Sequence, residues 1–240
     1  MPFSWFRRRR LILDAPRLRT RRPRRERVAG DLAEIAPELR QYLGQFACIQ
    51  LGFFERLSRI VGEVPGVAAK EAVGHAAARA FGRHERIVEE LRRLGFDPER
   101  EMMPYLAAVE AFEEVTAGHD WPEQVIAAHL CSGFLDDFFA ALAPGVDADG
   151  VKDLPALVAV DPQHDRALES LLRSRLEGDR LLAARLAMWG RRLIGDTLLM
   201  ARSALRLTGD AEVDDPHTEP LFAGVIAAHT RRMDALGLTA

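Results

Sequence analysis

Apolar residues recur in this chain at three- and four-residue steps over most of its length. A pattern with that period can bury itself only as α-helices packed side by side. Between residues 38 and 63 the stripe is Leu43, Phe46, Ala47, Phe53, Phe54, Leu57, Ile60 and Val61. Val64-Pro65-Gly66 interrupts it. A second stripe, Val73, Ala76, Ala77, Ala80, Ile87 and Leu91, runs to Leu94, where Gly95 supplies a helix stop and Pro98 follows. So short a break makes the pair an antiparallel hairpin. A longer connection over residues 96–120 holds a short helix at 104–115. Asp120-Trp121-Pro122 then opens a third long helix with stripe Val125, Ala128, Leu135, Phe139 and Leu142, and Pro144-Gly145 closes it. A fourth segment over 154–177 carries Leu157, Val160, Leu168 and Leu171. Asp179 caps a fifth helix reaching residue 207, and a last one covers 218–236. No strand-like alternation and no glycine-rich phosphate loop interrupts this order. The expected fold is all-α: a four-helix bundle of two antiparallel hairpins joined by a longer crossover, with additional C-terminal helices.

The 240 residues, 48% of them hydrophobic, suit one large core with tails. The sequence divides into a basic arm (1–30), a helical bundle (31–210) and a C-terminal tail helix (211–240). Charge separates the first two. Arg7, Arg8, Arg9, Arg10, Arg17, Arg19, Arg21, Arg22, Arg24, Arg25 and Arg27 stand against only Asp14 and Glu26, a net +9 in the first 30 residues. With −3 overall, the remainder carries about −12. An arm of this composition has little to bury and is expected to be disordered. Its arginines suit contact with RNA or an anionic surface. A solvated tail, or a start placed upstream of the true one, accounts for the same composition.

Cys48 and Cys131 match no metal-binding spacing and are too few for a disulfide framework, so a reduced, cytoplasmic setting is expected. No uninterrupted apolar run reaches the ~18 residues of a spanning helix, so no transmembrane segment is expected.

Four stripes each contain one polar residue: Gln50 in the first, His84 in the second, Ser132 in the third and His164 in the fourth. Burying a polar group without a partner is costly. Either the four meet in a polar or metal-binding pocket, or each is satisfied separately. Ser132 can bond back to a helical carbonyl, and His84 can reach the bundle rim.

Several phrases carry a family resemblance: Phe54-Glu55-Arg56-Leu57, Ala77-Ala78-Arg79, Asp120-Trp121, Gly133, and Leu186-Ala187-Met188-Trp189-Gly190-Arg191-Arg192-Leu193. In order and spacing they resemble the actinobacterial ferritin-like proteins grouped with the tRNA methylthio-isopentenyladenosine hydroxylases, over about residues 36–207. The resemblance implies a ferritin-like bundle and, in active members, a di-iron carboxylate site. Such a site takes a Glu from each of two helices and a Glu-x-x-His from each of the other two. Here the first-helix carboxylate position falls on Gln50, and the third-helix one on Ser132. The second-helix Glu-x-x-His falls on Ala80 and Arg83, with His84 one place off. Only Asp161-x-x-His164 keeps the pattern, and Asp161 before Pro162 also reads as a helix N-cap. A remnant metal set would then be Asp161, His164 and His84. Other carboxylates lie nearby, among them Glu55, Asp136 and Asp137.

One carboxylate cannot neutralise two iron ions in a dry core. The expectation is a non-catalytic binding or structural protein without a cofactor, able to form a homo-oligomer. The alternative is a di-iron oxygenase holding two iron ions and acting on modified tRNA or a small molecule. A third reading is a nucleic-acid-binding protein in which the arm alone matters.

Overall fold

The computed structural model describes residues 32–159, 166–205 and 218–239. All regular structure among them is helical: α1 (Leu39–Glu63), α2 (Val67–Arg93), α3 (Pro98–Val115), α4 (Trp121–Leu142), α5 (Leu154–Val158), α6 (Arg166–Leu176), α7 (Arg180–Arg202) and α8 (Glu219–Ala235). The basic arm, including Arg7 to Arg10, Arg21, Arg22, Arg24 and Arg25, lies outside the described residues, as do Asp161 and His164.

Local chemistry sets the helix ends. Asp97, Asp120, Asp153 and Asp179 each accept a backbone N–H of the first turn, capping α3, α4, α5 and α7. Val64 turns extended and Gly66 takes φ +77°, so α1 reverses into α2 within three residues. α3 starts six residues before the expected helix at 104–115. Its true start is the Asp97-Pro98 cap, and Pro104 sits inside the helix. Pro104 has no N–H for the Arg100 carbonyl, but it lies on the exposed side, where water satisfies that group. The segment over 154–177, expected as one helix, is also different. α5 ends at Ala159, whose backbone is extended (φ −54°, ψ 138°), and α6 is a separate helix.

Four helices, α1, α2, α4 and α6, enclose the core, each packed on two of the others. α3 covers the outer side of α1, and α7 and α8 cover the outer side of α4. α3 runs parallel to α1: Gly44 meets Glu101, Gly52 meets Val109, and Arg56 meets Glu113. A Cβ at Gly44 would lie 2.4 Å from the Glu101 carbonyl oxygen, so the approach of the two backbones depends on that glycine.

α4 is the central helix. It is the one helix among the described residues long and apolar enough to match a membrane span, with mean hydropathy 1.5 over its best 18 residues. Its apolarity has another cause, since 72% of that stretch is buried against protein. Phe46 stacks on Phe139 at 4.5 Å between ring centres, and the Tyr42 hydroxyl donates to the Phe139 carbonyl at 2.6 Å. Each such aromatic contributes about 1.5–3 kcal/mol by leaving water. These contacts lock α1 to α4 and set the level at which the polar residues face each other.

A buried polar cross-tie in the bundle core

Gln50 lies on the face of α1 turned to α4 and is almost wholly buried. Its Nε2 donates to Asp136 Oδ1 at 2.8 Å. Asp136 stands on α4 one turn beyond Ser132. Arg83, on α2, reaches the same carboxylate from the other side, with NH1 at 2.5 Å from Asp136 Oδ2. Both oxygens of the carboxylate therefore have partners. The Arg83 NH2 donates to the Ala159 carbonyl at 3.0 Å, satisfying a C-terminal carbonyl that α5 leaves open. The guanidinium carbon lies 5.9 Å from the centre of the Phe46 ring. One cation thus ties together α2, α4 and the end of α5, and Gln50 adds α1.

Of the other polar residues in the stripes, His84 and Ser132 take separate partners, and His164 lies outside the described residues. His84 stacks against Phe81, and its Nδ1 donates to the Ala47 carbonyl at 2.9 Å. That bond fixes the tautomer with the proton on Nδ1. Ser132 is half-buried and bonds weakly back to the His129 carbonyl of its own helix, at 3.4 Å. Gln50 therefore joins a shared network, while His84 and Ser132 are satisfied one by one. The members that complete the network, Arg83 and Asp136, were visible only as an expected histidine position and a nearby carboxylate. The available signal was Arg83 three residues after Ala80, on the face that α2 buries.

The di-iron group that the resemblance implies can be tested against these side chains. An amide, a guanidinium and one carboxylate meet in the core, and both oxygens of that carboxylate are already bonded. Iron needs several hard anionic oxygens converging on it. Among the described residues no group of three or more His, Cys, Asp or Glu gathers as a metal set. Among the described residues, which do not include Asp161 and His164, this donor set does not fit a pair of iron ions, and Arg83 supplies a buried positive charge.

Four helices around one core, crossed by a buried polar tie, define a protein of the ferritin-like class. The chain belongs to the actinomycete ferritin-like domain family, whose model matches residues 36–211. No curated protein matches the chain.

Proposed function

We propose that this protein is a ferritin-like scaffold in which an internal arginine stands in for iron, and that it works by binding or assembly rather than by oxygen chemistry. The observation that carries the reading is the Arg83–Asp136 pair with Gln50 on the same carboxylate. The resemblance to the tRNA methylthio-isopentenyladenosine hydroxylases puts Arg83 at a metal-histidine position and Gln50 at a metal-carboxylate position. A guanidinium there repels a metal ion and satisfies the carboxylate that would otherwise seek one. Di-iron proteins need the carboxylates to bring net negative charge to the site, and here that charge is neutralised by the protein itself. The arginines of the first thirty residues give such a scaffold a means of holding RNA or an anionic surface.

Metal content tests the reading. Protein purified from iron-supplemented cells is expected to hold iron far below one ion per chain. An Arg83→His variant alone is expected to leave it there, because Gln50 and Ser132 still supply no carboxylate. Near two irons per chain in the unaltered protein would overturn the proposal.

A further inference from the structure

A helix at the surface of a globular protein turns charged and polar residues to water. α7 does not. Leu181 is 86% exposed, Met188 67% and Leu199 68%, although the opposite face of the helix is buried on α4. The three stand 7 and 11 residues apart, so they fall within about 20° of one line along the helix. Ala184 and Gly195 lie between them and are exposed too. α3 carries a matching stripe: Met103, Ala107, Ala111 and Val115 follow at four-residue steps, all exposed. Among the described residues, six of the eight large apolar side chains left in solvent lie on these two helices, so the exposure is concentrated rather than scattered.

The two stripes adjoin. α7 packs against α3 and runs antiparallel to it. At one end Ser203, which follows α7, accepts from Gln45, next to the Gly44 that meets Glu101 of α3. At the other end Arg185 pairs with Asp120 and Glu123, just past the end of α3. Leu199 therefore stands toward the start of α3 and Met188 toward its end.

Opposite charges border the pair. α3 holds five glutamates against Arg100, net −4, and Glu110 and Glu114 run along its border with α1, on the edge away from α7. α7 holds five arginines against Asp196, net +4. Arg180 and Arg191 run along its edge toward α8, where Arg191 donates to the Thr239 carbonyl at 2.6 Å. Across the surface the order is acidic, apolar, apolar, basic. The acidic edge would repel an anionic membrane, and a partner of one charge would match only half the surface. A second copy, turned about a two-fold axis parallel to the helices, sets each acidic edge on a basic one and each stripe on a stripe.

We propose that α3 and α7 form such a dimer interface, with α3 of one protomer lying against α7 of its partner. The interface gives the proposed scaffold its assembly surface and rests on that reading for its role alone. Iron in the core would overturn the scaffold reading and leave this face as it is.

Sedimentation equilibrium on the full chain is expected to show a concentration-dependent species of twice the 26.7 kDa chain mass, weakened by added salt. Met188→Glu places an unpaired charge inside the interface and is expected to weaken association at least about tenfold. Val67→Glu, at a comparably exposed apolar position on α2, is expected to change nothing. Both variants should keep the helical circular dichroism of the parent, since neither side chain is buried. Two charge reversals test the pairing. Glu110→Arg/Glu114→Arg and Arg180→Glu/Arg191→Glu are each expected to stay monomeric alone and to dimerise when mixed, because only the mixture restores opposite charges at both contacts. A parent that is monomeric throughout, association untouched by Met188→Glu, or reversed variants that fail to pair when mixed would overturn the proposal. So would a monomer that pellets with anionic lipid vesicles and loses that binding in Met188→Glu, which would assign the face to a membrane.

Discussion

Replacing Arg83 with Met keeps most of the aliphatic volume and removes the guanidinium. Asp136, whose side chain is only 15% exposed, then keeps the Gln50 amide but loses the Arg83 guanidinium. The Ala159 carbonyl loses its donor as well. Breaking a buried pair from one side costs about 3–5 kcal/mol, because the remaining charge is stranded. The surviving Gln50 bond and the partial exposure of Asp136 favour the lower end, about 3 kcal/mol, and the lost carbonyl bond adds about 1. For a chain of this size a loss of ~4 kcal/mol lowers the thermal midpoint by roughly 8–16 °C. Urea and thermal unfolding followed by circular dichroism would measure it in Arg83→Met, in Asp136→Leu and in the double variant. The double variant strands no charge and is expected to be more stable than Arg83→Met alone by about 2 kcal/mol. A cost below about 1 kcal/mol for Arg83→Met, or a double variant that simply adds the two losses, would refute a cross-tie that holds the core.

Two further expectations rest on separate parts of the fold. His229 of α8 is buried, and its pKa is pushed from 6.5 down to about 4, by desolvation first and then by Arg232 and His129, with the Gly190 backbone opposing. The unfolded chain thus takes up this proton at higher pH than the folded one. Stability is complete above about pH 6.5 and declines as pH falls toward 4, by at most ~3 kcal/mol. Urea unfolding at several pH values should show that slope, and His229→Phe should flatten it; an unchanged slope would remove His229 as the cause. At the α1–α3 crossing, Gly44→Ala drives a Cβ against the Glu101 carbonyl and is expected to cost about 1–3 kcal/mol. Gly62→Ala, also in α1 but with nothing within 4 Å of its Cβ, should instead gain up to ~1 kcal/mol. Equal unfolding midpoints for the two variants would contradict the close backbone approach.

The helices themselves were legible because their signals are local. The stripes from Leu43 to Ile60 and from Val73 to Leu91 became α1 and α2, and Val64-Pro65-Gly66 became the reversal between them. Asp120-Trp121-Pro122 opened α4 as its cap chemistry requires. Errors arose where two local signals competed. Pro104 read as the start of α3, whereas the Asp97 side chain with Pro98 supplied the stronger start and the interior proline was tolerated at the surface. Over 154–177 the apolar stripe continued across a break in the backbone at Ala159, so periodicity alone joined α5 to α6.

The sequence by itself determined that the chain is helical, roughly where the long helices run, and that polar residues interrupt the buried faces. A three- to four-residue period is a property of the backbone, and each helix carries it without reference to the others. Only the tertiary structure decided which polar residues meet. Gln50, His84 and Ser132 interrupt their stripes in the same way, yet Gln50 bonds Asp136 across the core, His84 bonds a carbonyl of α1, and Ser132 bonds its own helix. Periodicity places a residue on a face about 100° wide. Whether a guanidinium on that face reaches a carboxylate on another helix depends on the rotation and height of each helix. Those are set by the packing of Tyr42, Phe46 and Phe139, and by glycines such as Gly44 that let neighbouring helices close up.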